Sequence, residues 1–183
     1  GLIPMLCTLL LVASLAPTRP PMYIHVMPWF EASAGSVGWH WKMNRTDEEV
    51  IRTGKVASHY QPLIGPYDSA DRAVVELQVA WMKMAGFDGV LADWYGTQPH
   101  YDYPVIHQRT QLLFEIATKA GLKIGVVYED QTVGNAIRGG LLSADRSSEV
   151  ARETGAFLAN DWLKRRNWIR LGGKPAVLVF GPQ

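Results

Sequence analysis

The sequence has one cysteine in 183 residues, Cys7, and it falls in an apolar stretch at the front of the chain. With that stretch removed, a disulfide framework and thiol catalysis are excluded for residues 22–183. An excess of charge of one sign is also missing. The 18 Lys and Arg against 17 Asp and Glu leave a formal net charge of +1, so no electrostatic field argues for nucleic acid or an anionic membrane. The one basic cluster, Lys164-Arg165-Arg166, falls near the end of a predicted helix, where cations are solvated and favourable. Long hydrophobic runs are confined to residues 2–16, which are too short for a stable membrane span and are followed by Pro17-Thr18-Arg19-Pro20. Residues 1–20 therefore read as a signal peptide truncated at its start, without an initiating Met or a basic opening, and cleaved near Ala16. This implies a secreted or periplasmic protein.

Missing motifs remove further chemistries. No Gly-x-Gly-x-x-Gly turn follows the first predicted strand and no phosphate-binding P-loop occurs, which weakens a nucleotide-binding sheet. No Gly-x-Ser-x-Gly elbow supports a serine nucleophile. His25, His40, His59, His100 and His107 form neither His-x-His nor His-Glu-x-x-His, so scattered hydrogen-bonding histidines are expected, with no metal and no cofactor. Asn44-Arg45-Thr46 matches a glycosylation sequon by chance.

What the sequence does contain is a globular composition, 48% hydrophobic and 19% charged, with 7 Trp and 7 Tyr. Aromatics in this number build a core or stack on flat ligand faces. Four apolar runs without alternation read as buried strands: residues 22–27, 89–93, 122–128 and 174–180. Between them lie helical patterns. The first opens at Tyr67-Asp68-Ser69-Ala70-Asp71 with Ser69 or Asp68 as N-cap, carries a stripe of Val74, Leu77, Val79, Trp81, Met82 and Met84, and stops at Gly86. The second starts at Pro104 and runs to Gly121, and the third runs from Asp145 or Ser147 to Arg165 with Val150, Phe157, Leu158 and Trp162 inward. A long Gly- and Trp-rich segment, residues 32–66, follows the first strand and is of a length usually functional. Strands alternating with helices at this spacing predict βαβ units and a parallel sheet. We expect an α/β fold, the first four βα units of a (β/α)8 TIM barrel, since a whole barrel needs about 250 residues.

Ligands of such sheets sit at the carboxyl ends of the strands. The residues arriving there are Trp29 and Glu31 after the first strand, Asp93, Trp94 and Tyr95 after the second, and Glu129 and Asp130 after the third. Carboxylates accept hydrogen bonds from sugar hydroxyls while Trp and Tyr stack on the apolar face of a pyranose. Glycosidic hydrolysis also uses two positioned carboxylates, one kept protonated by its surroundings. The alternative is an Asp93 that caps the following segment and aromatics that merely close the mouth. Glu129 and Asp130 are candidates for a catalytic pair in their own right, although neighbours on a strand face opposite ways, so a bend is required.

The runs Tyr23-Ile24-His25-Val26-Met27-Pro28-Trp29-Phe30, Tyr60-Gln61-Pro62-Leu63-Ile64-Gly65-Pro66-Tyr67-Asp68-Ser69, Gly86-Phe87-Asp88-Gly89-Val90-Leu91-Ala92-Asp93-Trp94-Tyr95-Gly96 and Val127-Tyr128-Glu129-Asp130 resemble glycoside hydrolase family 71/99-like proteins. These are related to family 99, the endo-α-mannosidases and endo-α-mannanases, and the resemblance spans residues 22–183. It implies a (β/α)8 barrel that cleaves or binds an α-linked glycan or polysaccharide in an open cleft, without a metal. It also implies catalytic carboxylates in a late Trp-Asn-Glu-type motif, beyond Gln183, and retention of configuration with participation by the sugar's 2-hydroxyl. By the same resemblance Trp29, Trp94 and Tyr95 are sugar platforms and Glu129 contacts sugar hydroxyls; Glu31 and Asp93 are substrate-binding candidates from their place at the strand ends. Tyr128-Glu129-Asp130 departs from the Glu-Pro pattern of family 99 proper. The rival implied function is a non-catalytic glycan-binding barrel of the cell surface.

Overall fold

The computed structural model describes residues 19–181. Cys7, the proposed cleavage site and all but the last two residues of the signal-peptide assignment lie outside them.

The elements in chain order are strands β1 (Tyr23–Val26), β2 (Ala32–Ser33) and β3 (Ser36–Val37), helices α1 (Trp39–Lys42), α2 (Asp47–Thr53) and α3 (Arg72–Met84), strand β4 (Gly89–Trp94), helix α4 (Tyr103–Lys119), strand β5 (Lys123–Glu129), helices α5 (Gln131–Arg138) and α6 (Ser147–Asn160), and strands β6 (Arg170–Leu171), β7 (Lys174–Pro175) and β8 (Leu178–Phe180). β1, β4, β5 and β8 form one parallel sheet in that order. A doubly wound nucleotide sheet reverses direction at a switch point. Here the order is sequential without reversal, as in a (β/α)8 barrel. Among the described residues no helix is long and apolar enough to cross a membrane.

The sheet separates two cores. On the helix-covered face, Val90, Ala92 and Trp94 of β4 and Ile124 and Val126 of β5 pack with Val75, Val79 and Met82 of α3 and Leu113, Phe114 and Ala117 of α4. On the opposite face, Leu91 and Val127 meet Ile169, Tyr23 and Ala176. Strand alternation thus sends odd-numbered residues of β4 and β5 inward and even-numbered ones outward.

Several local expectations shift. Asp71 caps α3, its side chain accepting from Ala73 N at 2.9 Å. Ser69 and Asp68 serve the first loop instead: Ser69 Oγ accepts from Phe30 N at 3.2 Å, and Ser69 N donates to Phe30 O at 2.9 Å. The buried stripe of α3 is Val75, Val79 and Met82, while Leu77, Trp81 and Met84 are exposed, because only spacings of three and four return to one face. The long segment 32–66 carries its own small core of Val37, Trp41, Val50 and Val56. Within it Thr46 caps α2 by accepting from Glu49 N at 3.1 Å, an Oγ use independent of any sequon.

The fourth strand position is filled in two pieces. Trp168 bridges Ile124 in parallel, the chain then leaves in the antiparallel β6–β7 hairpin, and it returns so that Leu178 pairs with Val127. Gly172 and Gly173, with φ of 55° and 79°, form the two-residue turn, a conformation suited to glycine. The continuous strand expected over 174–180 is therefore broken, and α6 ends at Asn160 before a single 3-10 turn at Trp162–Lys164.

Candidate functional site

Three polar side chains come from consecutive strands onto the inner face. His25 is opposite Leu91 in the β1–β4 register, and Asp93 is opposite Val127 in the β4–β5 register, so His25, Asp93 and Glu129 form a rising diagonal across the strand ends. Asp93 is 1% exposed and Glu129 is 7% exposed. His25 Nε2 stands 3.4 Å from Asp93 Oδ1. Glu129 Oε2 accepts from Gln131 Nε2 at 2.8 Å.

Asp93 is in hydrogen-bonding reach of Glu129, yet neither of its oxygens has a donor among the described residues. The two observations agree if both groups are ionised, because two carboxylates offer acceptors only. A proton on Asp93 converts the contact into a hydrogen bond. Burial, and then the negative charge of Glu129, push the Asp93 carboxyl up to about 7. His25 is held below its ordinary value by burial, against the attraction of Glu129, and is neutral at pH 7. Burial likewise raises the Tyr95 hydroxyl, with further contributions from Asp93 and Glu129.

Above this acidic floor stands an aromatic wall. The Trp29 and His40 rings are stacked at 4.6 Å and 10°, Tyr95 tilts against Trp29 at 6.1 Å, and Tyr103 meets Tyr95 edge-on at 5.3 Å. His40 Nε2 is 3.2 Å from Asp102 Oδ2. An open cleft of about 720 Å³ adjoins the wall, lined by Glu31, Trp39, His40, Tyr95, Tyr101 and Arg138 among others. The loop that carries Trp29 is tied down by Arg109 of α4. Arg109 is 5% exposed, and its Nη2 donates to Glu31 Oε1 at 3.3 Å and to Asp68 Oδ1 at 3.1 Å.

The structure brings Trp29, Glu31, Asp93, Tyr95 and Glu129 to this end of the sheet. Trp94 corrects the sequence-based expectation. It is 0% exposed and points away from Asp93 into the helix-covered core, against Trp162, Phe157 and Tyr128, with Nε1 donating to His107 Nδ1 at 3.1 Å. It is no platform for a ligand. Glu31 has one oxygen engaged with Arg109. Glu129 and Asp130 do not converge: Glu129 turns inward, while Asp130 borders a separate cleft with Ser147 and Thr154. The site residues that sequence reasoning missed are His25, His40 and Arg109. His25 was detectable, being two residues from inward Tyr23 on a strand that ends at the site; Arg109, in the middle of a helical pattern, gave no such signal. Among the described residues no cluster of three metal-ligating side chains forms.

No protein-family model and no curated protein matches the sequence. The fold is similar to that of the GH99 endo-α-mannosidase from Bacteroides thetaiotaomicron. The structure of that enzyme in complex with bis-tris propane aligns with a TM-score of 0.59 at 19% identity, over 86% of this chain and 41% of that one. A second structure of the enzyme gives 0.61 at 18% identity, over 86% of this chain and 44% of the other. The chain thus spans less than half the length of these structures, and over that span it has the fold of part of a GH99 barrel.

Proposed function

We propose that this chain forms the sugar-binding part of a glycoside hydrolase acting on an α-linked glycan or polysaccharide, of the endo-α-mannosidase or mannanase kind, in a secreted or periplasmic setting. The observation that carries the reading is the pairing of buried acids with stacked aromatics at the strand ends of a barrel shared with a glycosidase. Trp29 and Tyr95 offer ring faces to a pyranose, and Glu129 offers an acceptor to its hydroxyls.

Proton transfer to the glycosidic oxygen belongs to other residues. Flanking carboxylates stand about 5–5.5 Å apart in retaining hydrolases and about 6.5–9.5 Å apart in inverting ones. Asp93 and Glu129 act on each other as a pair, an arrangement that suits a ligand contact at one acid better than a scissile bond held between the two. The second reading is a glycan-binding barrel without hydrolysis. Release of reducing ends from polymer separates the two.

Calorimetric titration with α-mannan and α-glucan oligosaccharides tests the assignment. Trp29→Ala should weaken binding about tenfold, the worth of one stacked ring at roughly 1.4 kcal/mol. Glu129→Gln, which keeps shape but removes the charged acceptor, should weaken it at least as much. Affinity unchanged by both substitutions would remove the assignment.

A further inference from the structure

We propose that Asp93 is a positioning residue that carries the one proton it shares with Glu129, and so holds Glu129 as an aimed acceptor for a ligand hydroxyl. This rests on the glycan reading of the same site.

The geometry leaves Asp93 little alternative. Its side chain is 1% exposed, its oxygens have no donor, and no Lys or Arg pairs with it among the described residues. The buried guanidinium of this end of the sheet, Arg109, is committed to Glu31 and Asp68. A buried carboxylate without a counter-charge takes a proton instead. The groups facing it are His25 from β1, Glu129 from β5 and Tyr95 from the exit of β4 itself. His25 is neutral at pH 7 and brings no positive charge. Of the two carboxylates, Glu129 is the one that gains a donor from a proton on Asp93. Asp93 donates to one carboxylate oxygen, Gln131 Nε2 donates to Oε2 at 2.8 Å, and the remaining lone pairs are fixed in direction for a ligand hydroxyl. The one bond broken is the Asp93 carboxyl O–H: above neutral pH its proton passes to water and two buried negative charges face each other.

The sign follows from the raised value. Asp93 is ordinarily protonated only below 3.8 and here up to about 7. Its favourable contribution to folding is complete below the unfolded value and is lost as pH rises through about 7. Ligand affinity follows the same direction. At pH 8.5 only a few per cent of molecules retain the proton, which weakens binding ~30-fold relative to pH 5.5.

The test has two parts, both on the whole chain. Thermal melts and carboxyl carbon NMR titrations from pH 5 to 8.5 compare the parent protein with Asp93→Asn, which keeps a donor at the same place and cannot ionise. The parent should lose stability across neutral pH while the variant stays level. In calorimetry with an α-mannan oligosaccharide, the ~30-fold pH dependence should be present in the parent and absent in Asp93→Asn. A parent Asp93 that titrates in the ordinary carboxylate range, or an Asn variant that retains the parent's pH profile, overturns the proposal. If Asp93→Asn fails to fold, Glu129→Gln decides: it must bring the Asp93 titration down, and an unchanged value is contrary. Absence of oligosaccharide binding at every pH defeats the glycan reading, and the ligand-free titration then judges the shared proton by itself.

Discussion

Asp93 and Arg109 show two ways of holding a charge-bearing side chain out of water. Asp93 takes up a proton; Arg109 takes two carboxylates. Holding Asp93 ionised in the folded chain at high pH costs ~4 kcal/mol, the equivalent of its displacement from 3.8 to about 7. Arg109 offsets part of its cost through Glu31 and Asp68, whose side chains are 47% and 29% exposed, while its buried Nε has no partner among the described residues. Arg109→Leu removes the donor and leaves two acceptors that water reaches in part, so a loss of about 1–3 kcal/mol is expected. A fall in melting temperature with a slackened Trp29 loop, seen as faster amide exchange at residues 29–31, is the measurement. A change confined to a few tenths of a kcal/mol would class the cluster with the exposed Lys119–Glu115 pair. At this scale the sequence was half legible. Asp93 and Glu129 were visible as acids at strand ends, but the neighbour Trp94 was assigned to the same side. A period of two sends adjacent residues to opposite faces, and that phase is fixed only once one inward residue is known.

At the scale of elements, the β4–β5 pair sets the height at which the acids emerge. It begins at Gly89, opposite Lys123. A methyl at Gly89 would stand 2.6 Å from the Lys123 carbonyl oxygen, a backbone atom with no freedom to turn away. Gly89→Ala should therefore cost roughly 1–3 kcal/mol in urea unfolding, and pry the strands apart at their entry. A loss well below that range would mean that the strand entries part easily. The order of strands and helices was readable from apolar runs and their stops at Gly86 and Gly121, both left-handed in the structure. Pro104 does sit in the first turn of α4. What escaped was the divided fourth strand. Trp168-Ile169 is too short to register as a run, and Lys174-Pro175 reads as the start of the strand although it belongs to a hairpin. The helix and strand content of residues 32–66 escaped as well, because two-residue strands, a one-turn helix and the seven-residue α2 are too short to establish a period.

For the molecule as a whole, among the described residues β1 and β8 are the outer strands of the sheet. On β8, Leu178, Val179 and Phe180 are 39%, 51% and 56% exposed. Beside β1, a hollow of about 450 Å³ is lined by Ile24, Val26, Trp81, Met82 and Phe87. Exposed apolar strand edges pair with other chains unless something covers or charges them. Sedimentation of this chain should show association that increases with concentration, and Val179→Lys should shift it toward monomer. Val179 points to the outer face, opposite Tyr128, so the substitution leaves the acidic floor untouched. Association indifferent to that charge would point to the hollow beside β1.

The glycine-tipped β6–β7 hairpin interrupts one strand between two pieces that pair separately with β5: Trp168 with Ile124, and Leu178 with Val127. Leu171 and Lys174 flank the tip and are exposed. A backbone cut there severs the chain without severing the sheet, because each stump keeps its own rung of the ladder. This position can therefore admit new chain ends, a grafted loop or an inserted domain while the fourth strand goes on closing the floor of the site.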